Sequence, residues 1–193
     1  MKKAAKFALI KTIPIFLGYL FLGIAFGLLL QKSGLGVFWA FLISTLVYAG
    51  SMQFALVGIL TGGLSYVTTA VMTLFINSRH AFYGLTFIER FKEMRKTYPY
   101  MVFSLTDETY SLLCSMARPS DFTDREWKAA TFFTSFFDQC YWIAGSVLGA
   151  LMGELITFDT TGIDFAMTAL FVVICVDQWK AAKTHIPAVT GFI

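Results

Sequence analysis

The stretch that decides the fold is Val37–Leu60, which reads VFWAFLISTLVYAGSMQFALVGIL. Its 24 residues carry no charge, and a helix needs about 20 apolar residues to cross the hydrocarbon core of a bilayer. The centre is unusual for a plain span because it holds Tyr48, Gly50, Ser51 and Gln53. Helices broken at that depth line substrate sites in transporters. We therefore predict a broken or re-entrant helix near Gly50-Ser51.

The composition excludes an ordinary soluble domain. The chain has 193 residues, of which 57% are hydrophobic and 14% charged, whereas soluble domains average about 25% charged residues. We predict an all-α, polytopic integral membrane bundle that forms a single permease domain over residues 1–193 in the lipid bilayer. Its hydrophobic segments are Ile13–Leu30, Val37–Leu60, Tyr66–Ile88, Tyr100–Met116, Phe132–Leu155 and Phe165–Val176. No long basic tract indicates a nucleic-acid partner.

Basic residues in short loops indicate which segment ends face the cytoplasm. Four lysines precede the first segment, which we expect to be a retained helix with Pro14 in its first turn, and a second basic group lies at residues 90–96. The N-terminus is therefore expected to be cytoplasmic. If each of the first three segments crossed once, residues 90–96 would lie outside.

Two arrangements remove this conflict. We favour the one in which Val37–Leu60 enters and returns on the same side. In the other, the third segment breaks at Asn77-Ser78-Arg79-His80. The favoured arrangement also requires Tyr100–Met116 to be re-entrant or to lie on the membrane surface.

Polar residues inside membrane segments are costly, so they are the first functional candidates. Asp138 precedes a ridge of three glycines on its segment, which favours a helix interface or cavity, although the headgroup region remains an alternative. Asp107 and Glu108 lie midway along Tyr100–Met116. A single helix there would carry one polar stripe, either around a binding site or towards water at the interface. Its members would be Ser104, Glu108, Ser111 and Ser115.

The segment Tyr66–Ile88 carries a second polar stripe that includes Asn77 and His80. Ser51 is a good N-cap for a half-helix, and the free N–H groups there would bind the carboxylate of an amino acid. The ammonium group would need one of the acids.

These arguments define three sets of candidates. The candidate substrate contacts are Tyr48, Gly50, Ser51, Gln53, Asn77, Asp107, Glu108 and Asp138. The candidate proton-coupling residues are Glu108, Asp138 and His80. The candidate helix-packing residues are Gly23, Gly27, Gly145, Gly149 and Gly153.

No catalytic residue, metal site or cofactor is predicted. The chain has two histidines and three widely spaced cysteines, and it lacks the P-loop, HExxH, GxSxG and GxGxxG motifs. An enzyme is therefore the least expected class.

Four stretches in one colinear order resemble the AzlC family. They are Tyr48–Phe54, Asn77–His80, Leu105–Tyr110, and Gly162–Ala169 followed by His185–Ala188. Members of this family, among them YgaZ-like permeases, are large subunits of branched-chain amino acid exporters. The resemblance implies a bacterial inner-membrane protein with a small AzlD-type membrane subunit as partner. Family members usually continue beyond the Ile-Pro-Ala region, so we expect this chain to be C-terminally incomplete.

The function expected from the sequence is secondary export of valine, leucine and isoleucine, with methionine as a further candidate substrate. Two alternatives remain open at this stage. One is a passive channel for small neutral solutes, and the other is a membrane scaffold that transports nothing.

Overall fold

A computed structural model describes residues 1–155 and the isolated helical positions Phe165, Ala169, Val172, Val176 and Trp179. The helices of residues 1–155 are α1 (Lys2–Lys32), α2 (Val37–Leu46), α3 (Gly50–Gly62), α4 (Tyr66–Lys92), α5 (Tyr98–Phe103), α6 (Asp107–Ser115) and α7 (Asp124–Leu155), with a 3-10 turn at Arg95–Thr97. The chain separates into compact units of residues 1–158 and 159–193, and all seven helices belong to the first. The predicted stretches Phe165–Val176, Gly162–Ala169 and His185–Ala188 lie outside the described residues, apart from the isolated positions. The all-helical prediction is confirmed for the described residues; the single-domain prediction stays a prediction.

Helices α1 and α7 are the two longest helices of the bundle, pack against each other and run in the same direction. Near their starts, Phe7 packs edge-on against Trp127, and at mid-length Tyr19 packs against Trp142 at 5.4 Å between ring centroids. Among the described helices, α1 alone combines the length and hydropathy of a membrane span, with a mean hydropathy of 2.4 over its best window. Leu17 and Phe21 are more than 60% exposed on its outer face.

The two long helices approach closely because glycines face each other. A Cβ atom placed on Gly23 would lie 3.0 Å from the Cα atom of Gly145, and one on Gly27 would lie 2.6 Å from the backbone nitrogen of Ala150. Further along, a Cβ on Gly153 would contact the Gln31 side chain at 3.1 Å. Small residues permit this kind of contact between membrane helices.

The starts of α1 and α7 and the end of α4 meet at one end of the bundle, here called the basic end. Lys3 forms an ion pair with Asp121 at 2.8 Å, and Lys128 forms one with Glu93 at 3.0 Å. A cavity of about 370 Å³ at this end is lined by Met1, Glu93, Met94, Arg95, Thr97, Arg125, Lys128, Ala129 and Phe132.

The decisive stretch forms two short helices, α2 and α3, separated by residues 47–49. Helix α2 begins next to the end of α1 and brings the carbonyl of Thr45 to the side chain of Gln139 at 3.2 Å. Helix α3 then packs Phe54 against Phe26 of α1, and a three-residue loop joins it to α4. The predicted break is therefore present, centred on Tyr48 rather than on Gly50-Ser51.

The segment predicted as one helix from Tyr100 to Met116 is also broken. Helix α5 ends at Phe103 and α6 begins at Asp107, so the four-residue polar stripe expected on one helix does not form. The reason is local: the Thr106 hydroxyl caps α6 by accepting a hydrogen bond from the Thr109 N–H, which ends the preceding helix.

The alternative break at Asn77–His80 does not form, since helix α4 is continuous through these residues. Arg79 has its partners outside its own helix. The expectation for Pro14 was wrong. Pro14 lies inside α1 rather than in its first turn, because the lysine-rich N-terminus is itself helical from Lys2.

Candidate functional site

The first break is held in a fixed conformation by a single side chain. The Gln53 Oε1 atom accepts hydrogen bonds from the Ala49 N–H at 3.2 Å and from the Trp142 indole at 2.9 Å. Its Nε2 atom donates to the Ser44 hydroxyl at 3.2 Å. Gln53 is fully buried, and its amide oxygen and nitrogen, which we had expected to contact substrate, bond to the protein instead.

Tyr48, at the centre of the break, has a positive φ of 39°. Such a backbone costs about 1–3 kcal/mol for a residue other than glycine and concentrates at functional sites. The ring is buried against Phe103, with 6.2 Å between centroids, yet the hydroxyl group makes no hydrogen bond within the described part of the chain. The carboxyl groups of Asp138 and Glu108 lie close enough to interact electrostatically with the Tyr48 hydroxyl.

The start of α3 leaves backbone donors available. Ala49 is the N-cap, so the prediction that Ser51 caps this helix was wrong. The N–H groups of Met52 and Gln53 bond back to the Ala49 carbonyl. The N–H groups of Gly50 and Ser51, at the first two helical positions, have no partner within their own helix.

Arg79 connects the two breaks. Its Nη2 atom donates to the Ser51 hydroxyl at 2.8 Å, and its Nη1 atom pairs with Asp107 Oδ2 at 2.8 Å. The side chains of Arg79 and Asp107 are 27% and 25% exposed, so water screens this pair only in part. The guanidinium thus lies between the first turn of α3 and the first turn of α6.

The two remaining acids are joined by a line of hydroxyl groups. Tyr19 Oη lies 2.8 Å from Glu108 Oε2 and 2.6 Å from the Thr106 hydroxyl. The Thr106 and Thr109 hydroxyls are 3.1 Å apart, and Thr109 Oγ1 lies 2.8 Å from Asp138 Oδ2. The side chain of Asp138 is fully buried and meets α6 at Thr109, which fits the predicted helix interface. Its depth in the membrane stays a prediction.

Several polar atoms around these residues are buried without a hydrogen-bond partner in the part of the chain that the structure describes. They are Tyr48 Oη, Arg79 Nε, Asp107 Oδ1 and Asp138 Oδ1 at the two breaks, and Asn77 Oδ1 on the turn of α4 that precedes Arg79. Buried polar atoms are nearly always paired in folded proteins. Unpaired ones gathered in one region therefore indicate a place where a polar ligand, water or ion binds.

The structure brings together five of the predicted contacts, namely Tyr48, Ser51, Asp107, Glu108 and Asp138. His80 is not among them, since its Nδ1 atom lies 3.1 Å from the Asn77 carbonyl of its own helix. Gly50 has room beside it, because a Cβ there would meet only Trp142, at 3.9 Å. Within the described residues, no group of three metal-ligating side chains forms.

Sequence reasoning missed Tyr19, Thr106 and Thr109, and Arg79 was not among its candidate site residues. Thr106 had a usable signal, because Thr followed by two acids is a common helix start. Tyr19 had none, since nothing in an apolar first helix relates it to residues almost 90 positions away.

The chain matches known proteins over most of its length. The family described as AzlC protein matches residues 14–156. The Branched-chain amino acid transport protein AzlC of Bacillus subtilis (strain 168) is 37% identical over 180 residues, which cover 93% of this chain and 70% of that protein.

An Uncharacterized membrane protein of Helicobacter pylori (strain ATCC 700392 / 26695) is 36% identical and is covered to 82%, over 99% of this chain. The Inner membrane protein YgaZ of Escherichia coli (strain K12) is 27% identical, over 74% of this chain and 58% of its own length. No solved structure matches.

Proposed function

The chain belongs to the AzlC family of membrane proteins, and from this premise we propose that it is the large subunit of a secondary transporter that exports branched-chain amino acids across the bacterial inner membrane. The observation that carries the proposal is the meeting of two helix breaks around one arginine. Arg79 contacts the first turn of α3 and the first turn of α6 through Ser51 and Asp107. Broken helices whose N-terminal ends point at a shared site are a recurrent way to hold an anionic substrate group in transporters.

The proposed substrate pose uses the unpaired groups of this site. The carboxylate of the amino acid binds to the N–H groups of Gly50 and Ser51, close to the Arg79 guanidinium. The ammonium group binds to the unpaired Oδ1 atom of Asp138, with the Tyr48 hydroxyl nearby. The apolar side chain lies against the rings of Tyr48 and Phe103.

The proposed topology contains two re-entrant hairpins of opposite orientation. The α2–α3 pair begins after the end of α1 and finishes at the start of α4, away from the basic end. The α5–α6 pair begins and finishes near the basic end, where Arg90 donates to the Leu113 carbonyl at 3.4 Å. The long helices α1, α4 and α7 cross the membrane, and the lysines and arginines of the basic end face the cytoplasm together with the N-terminus.

The proposed partner is a small AzlD-type membrane subunit. Helix α4 has several large apolar side chains more than 60% exposed, namely Val67, Leu74, Phe75, Phe82 and Leu85. A face of this kind suits either lipid or the helix of a small subunit.

The test is counterflow of labelled valine into proteoliposomes, with this chain alone and together with the small subunit. We expect saturable uptake driven by internal leucine and not by internal lysine. Failure of both preparations, with correctly inserted protein, would refute a branched-chain carrier. A flux that neither saturates nor shows counterflow would favour a channel instead.

The role of Asp138 is tested in the same assay. Asp138→Asn should reduce counterflow at least tenfold, because the amide removes the negative charge that pairs with the ammonium group. Asp124→Asn makes the same chemical change on the same helix at a side chain that is 81% exposed, and it should leave counterflow unchanged. Equal rates in the two variants would remove Asp138 from the substrate site.

A further inference from the structure

Five oxygen atoms form an unbroken line between two acids of the site. In order they belong to Glu108, Tyr19, Thr106, Thr109 and Asp138, and the four gaps between them measure 2.8, 2.6, 3.1 and 2.8 Å. Each gap lies within the range of an O–H···O hydrogen bond or just above it. The line starts at Glu108 on α6, passes to Tyr19 on α1, returns to α6 at its N-cap Thr106 and ends at Asp138 on α7.

A count of hydrogen atoms shows what four hydrogen bonds along this line require. Each of the four hydrogen bonds needs one proton between its oxygens. The hydroxyl groups of Tyr19, Thr106 and Thr109 carry one proton each, which makes three. With both acids ionised, these three would leave the 3.1 Å contact between Thr106 and Thr109 without a hydrogen. A proton on Glu108 or on Asp138 completes all four bonds.

Both placements of the fourth proton satisfy every atom of the line. With the proton on Glu108, that acid donates to Tyr19, and each following hydroxyl donates towards an ionised Asp138. With the proton on Asp138, all four bonds reverse and Glu108 is ionised. Thr106 also accepts the N–H of Thr109 at 3.3 Å, and in each arrangement it donates once and accepts twice.

We propose that Glu108 and Asp138 share a single proton and that Tyr19, Thr106 and Thr109 conduct it between them. In the transfer, Asp138 gives its proton to Thr109, Thr109 gives its own to Thr106, Thr106 to Tyr19, and Tyr19 to Glu108. Four O–H bonds break and four form, and the negative charge moves from Glu108 to Asp138. The step needs no other reactant.

The two ends of this relay differ in access. Asp138 is fully buried, whereas Glu108 is only partly buried. The other titratable groups near Asp138 are the hydroxyls of Tyr48 and Tyr100, and those near Glu108 are Asp107, Arg79 and the hydroxyls of Tyr48 and Tyr83.

The relay deepens the proposed function and rests on it for its consequence. A substrate ammonium group beside Asp138 favours the ionised form of that acid and thereby drives the shared proton to Glu108. Once the amino acid leaves, the proton returns to Asp138. Substrate binding and the position of the shared proton are then coupled through one hydrogen-bonded line.

The test is the infrared C=O stretching band of protonated carboxylic acid in the purified chain at neutral pH, in H₂O and D₂O. We expect the wild-type protein to show a band that shifts in D₂O and corresponds to one acid. Glu108→Gln and Asp138→Asn should each abolish that band. In each variant the new amide N–H supplies the donor that the fourth proton supplied, so the remaining acid stays ionised.

A second pair of variants tests the relay itself. Thr109→Val removes the link beside Asp138, so Asp138 loses the donor that it has among the described residues and holds a proton of its own. In that background, Glu108→Gln should no longer abolish the band. Thr109→Ser keeps the hydroxyl group, and there Glu108→Gln should abolish the band as it does in the wild type.

These results separate the relay from the transport proposal. A band that survives in both single amide variants, or a wild-type protein without the band, would overturn the relay even if valine counterflow is normal. The expected band pattern without counterflow would support the relay and refute branched-chain transport.

Discussion

Replacement of Gly27 by alanine tests how closely α1 and α7 must pack. A Cβ atom at this position would lie 2.6 Å from the backbone nitrogen of Ala150 and 3.0 Å from the carbonyl carbon of Gly149, and it would also overlap the Ser146 carbonyl oxygen. Ordinary contacts between heavy atoms lie at about 3.5–4.0 Å. The two helices must therefore separate locally by roughly 1 Å, because the atoms in the way belong to the backbone.

The size of the effect follows from that separation. A gap of 0.5–1 Å removes about a quarter to a half of the attraction between facing atoms, and overpacked sites typically lose about 1–3 kcal/mol. Alanine regains about 0.5–1 kcal/mol over glycine within a helix. We expect Gly27→Ala to lower the free energy of unfolding by about 1–2 kcal/mol.

Gly18 provides the matched control on the same helix. No atom lies within 4 Å of a Cβ placed there, so Gly18→Ala should raise the free energy of unfolding by about 0.5–1 kcal/mol. The assay is thermal unfolding in detergent, followed by tryptophan fluorescence. Equal midpoints for the two variants would show that the close approach of α1 and α7 is wrong.

Three further predictions concern the first break, the arginine and the basic end. Gln53→Leu should lower the free energy of unfolding by about 2–4 kcal/mol, because the buried N–H groups of the Ala49 backbone and the Trp142 indole lose their acceptor. Thermal unfolding checks this, with Gln53→Glu, which keeps an acceptor oxygen, as the comparison. Arg79→Lys should reduce valine counterflow at least tenfold, since one ammonium group cannot replace a guanidinium that bonds to both Ser51 and Asp107. The same change at the exposed Arg125 should leave counterflow unchanged. Equal counterflow rates in the two variants would contradict the bridging role of Arg79. Hydrogen bonding and charge from Lys3 lower the pKa of Asp121, so this contact stabilises the fold above the ordinary carboxyl pKa of about 3.9 and is lost as the pH falls through the lowered value. Lys3→Gln should return that pKa towards its usual range, which carbon NMR of the carboxyl group would detect; an unchanged value would refute the contact.

Much of the fold was predictable because composition and local pattern act over short distances. The uncharged length of Val37–Leu60 and the polar residues at its centre correctly indicated a broken helix. The second break, at Ser104–Thr106, was missed although Thr106 is a good N-cap, because the apolar composition of Tyr100–Met116 outweighed the capping signal in our interpretation. At Asn77–His80 a run of polar residues left a break open as the alternative, and the helix is continuous there.

The sequence by itself determined that the protein is apolar and helical, that a break occurs near Tyr48, and that buried acids are the residues to examine. These conclusions depend on side-chain transfer energies and on backbone preferences within a few residues. Only the tertiary structure decided that Arg79 joins both breaks and that three hydroxyl groups connect Glu108 to Asp138. A hydrogen bond requires two groups within about 3 Å, and the partners here are up to 89 positions apart in the chain, so no local pattern can reveal which groups meet.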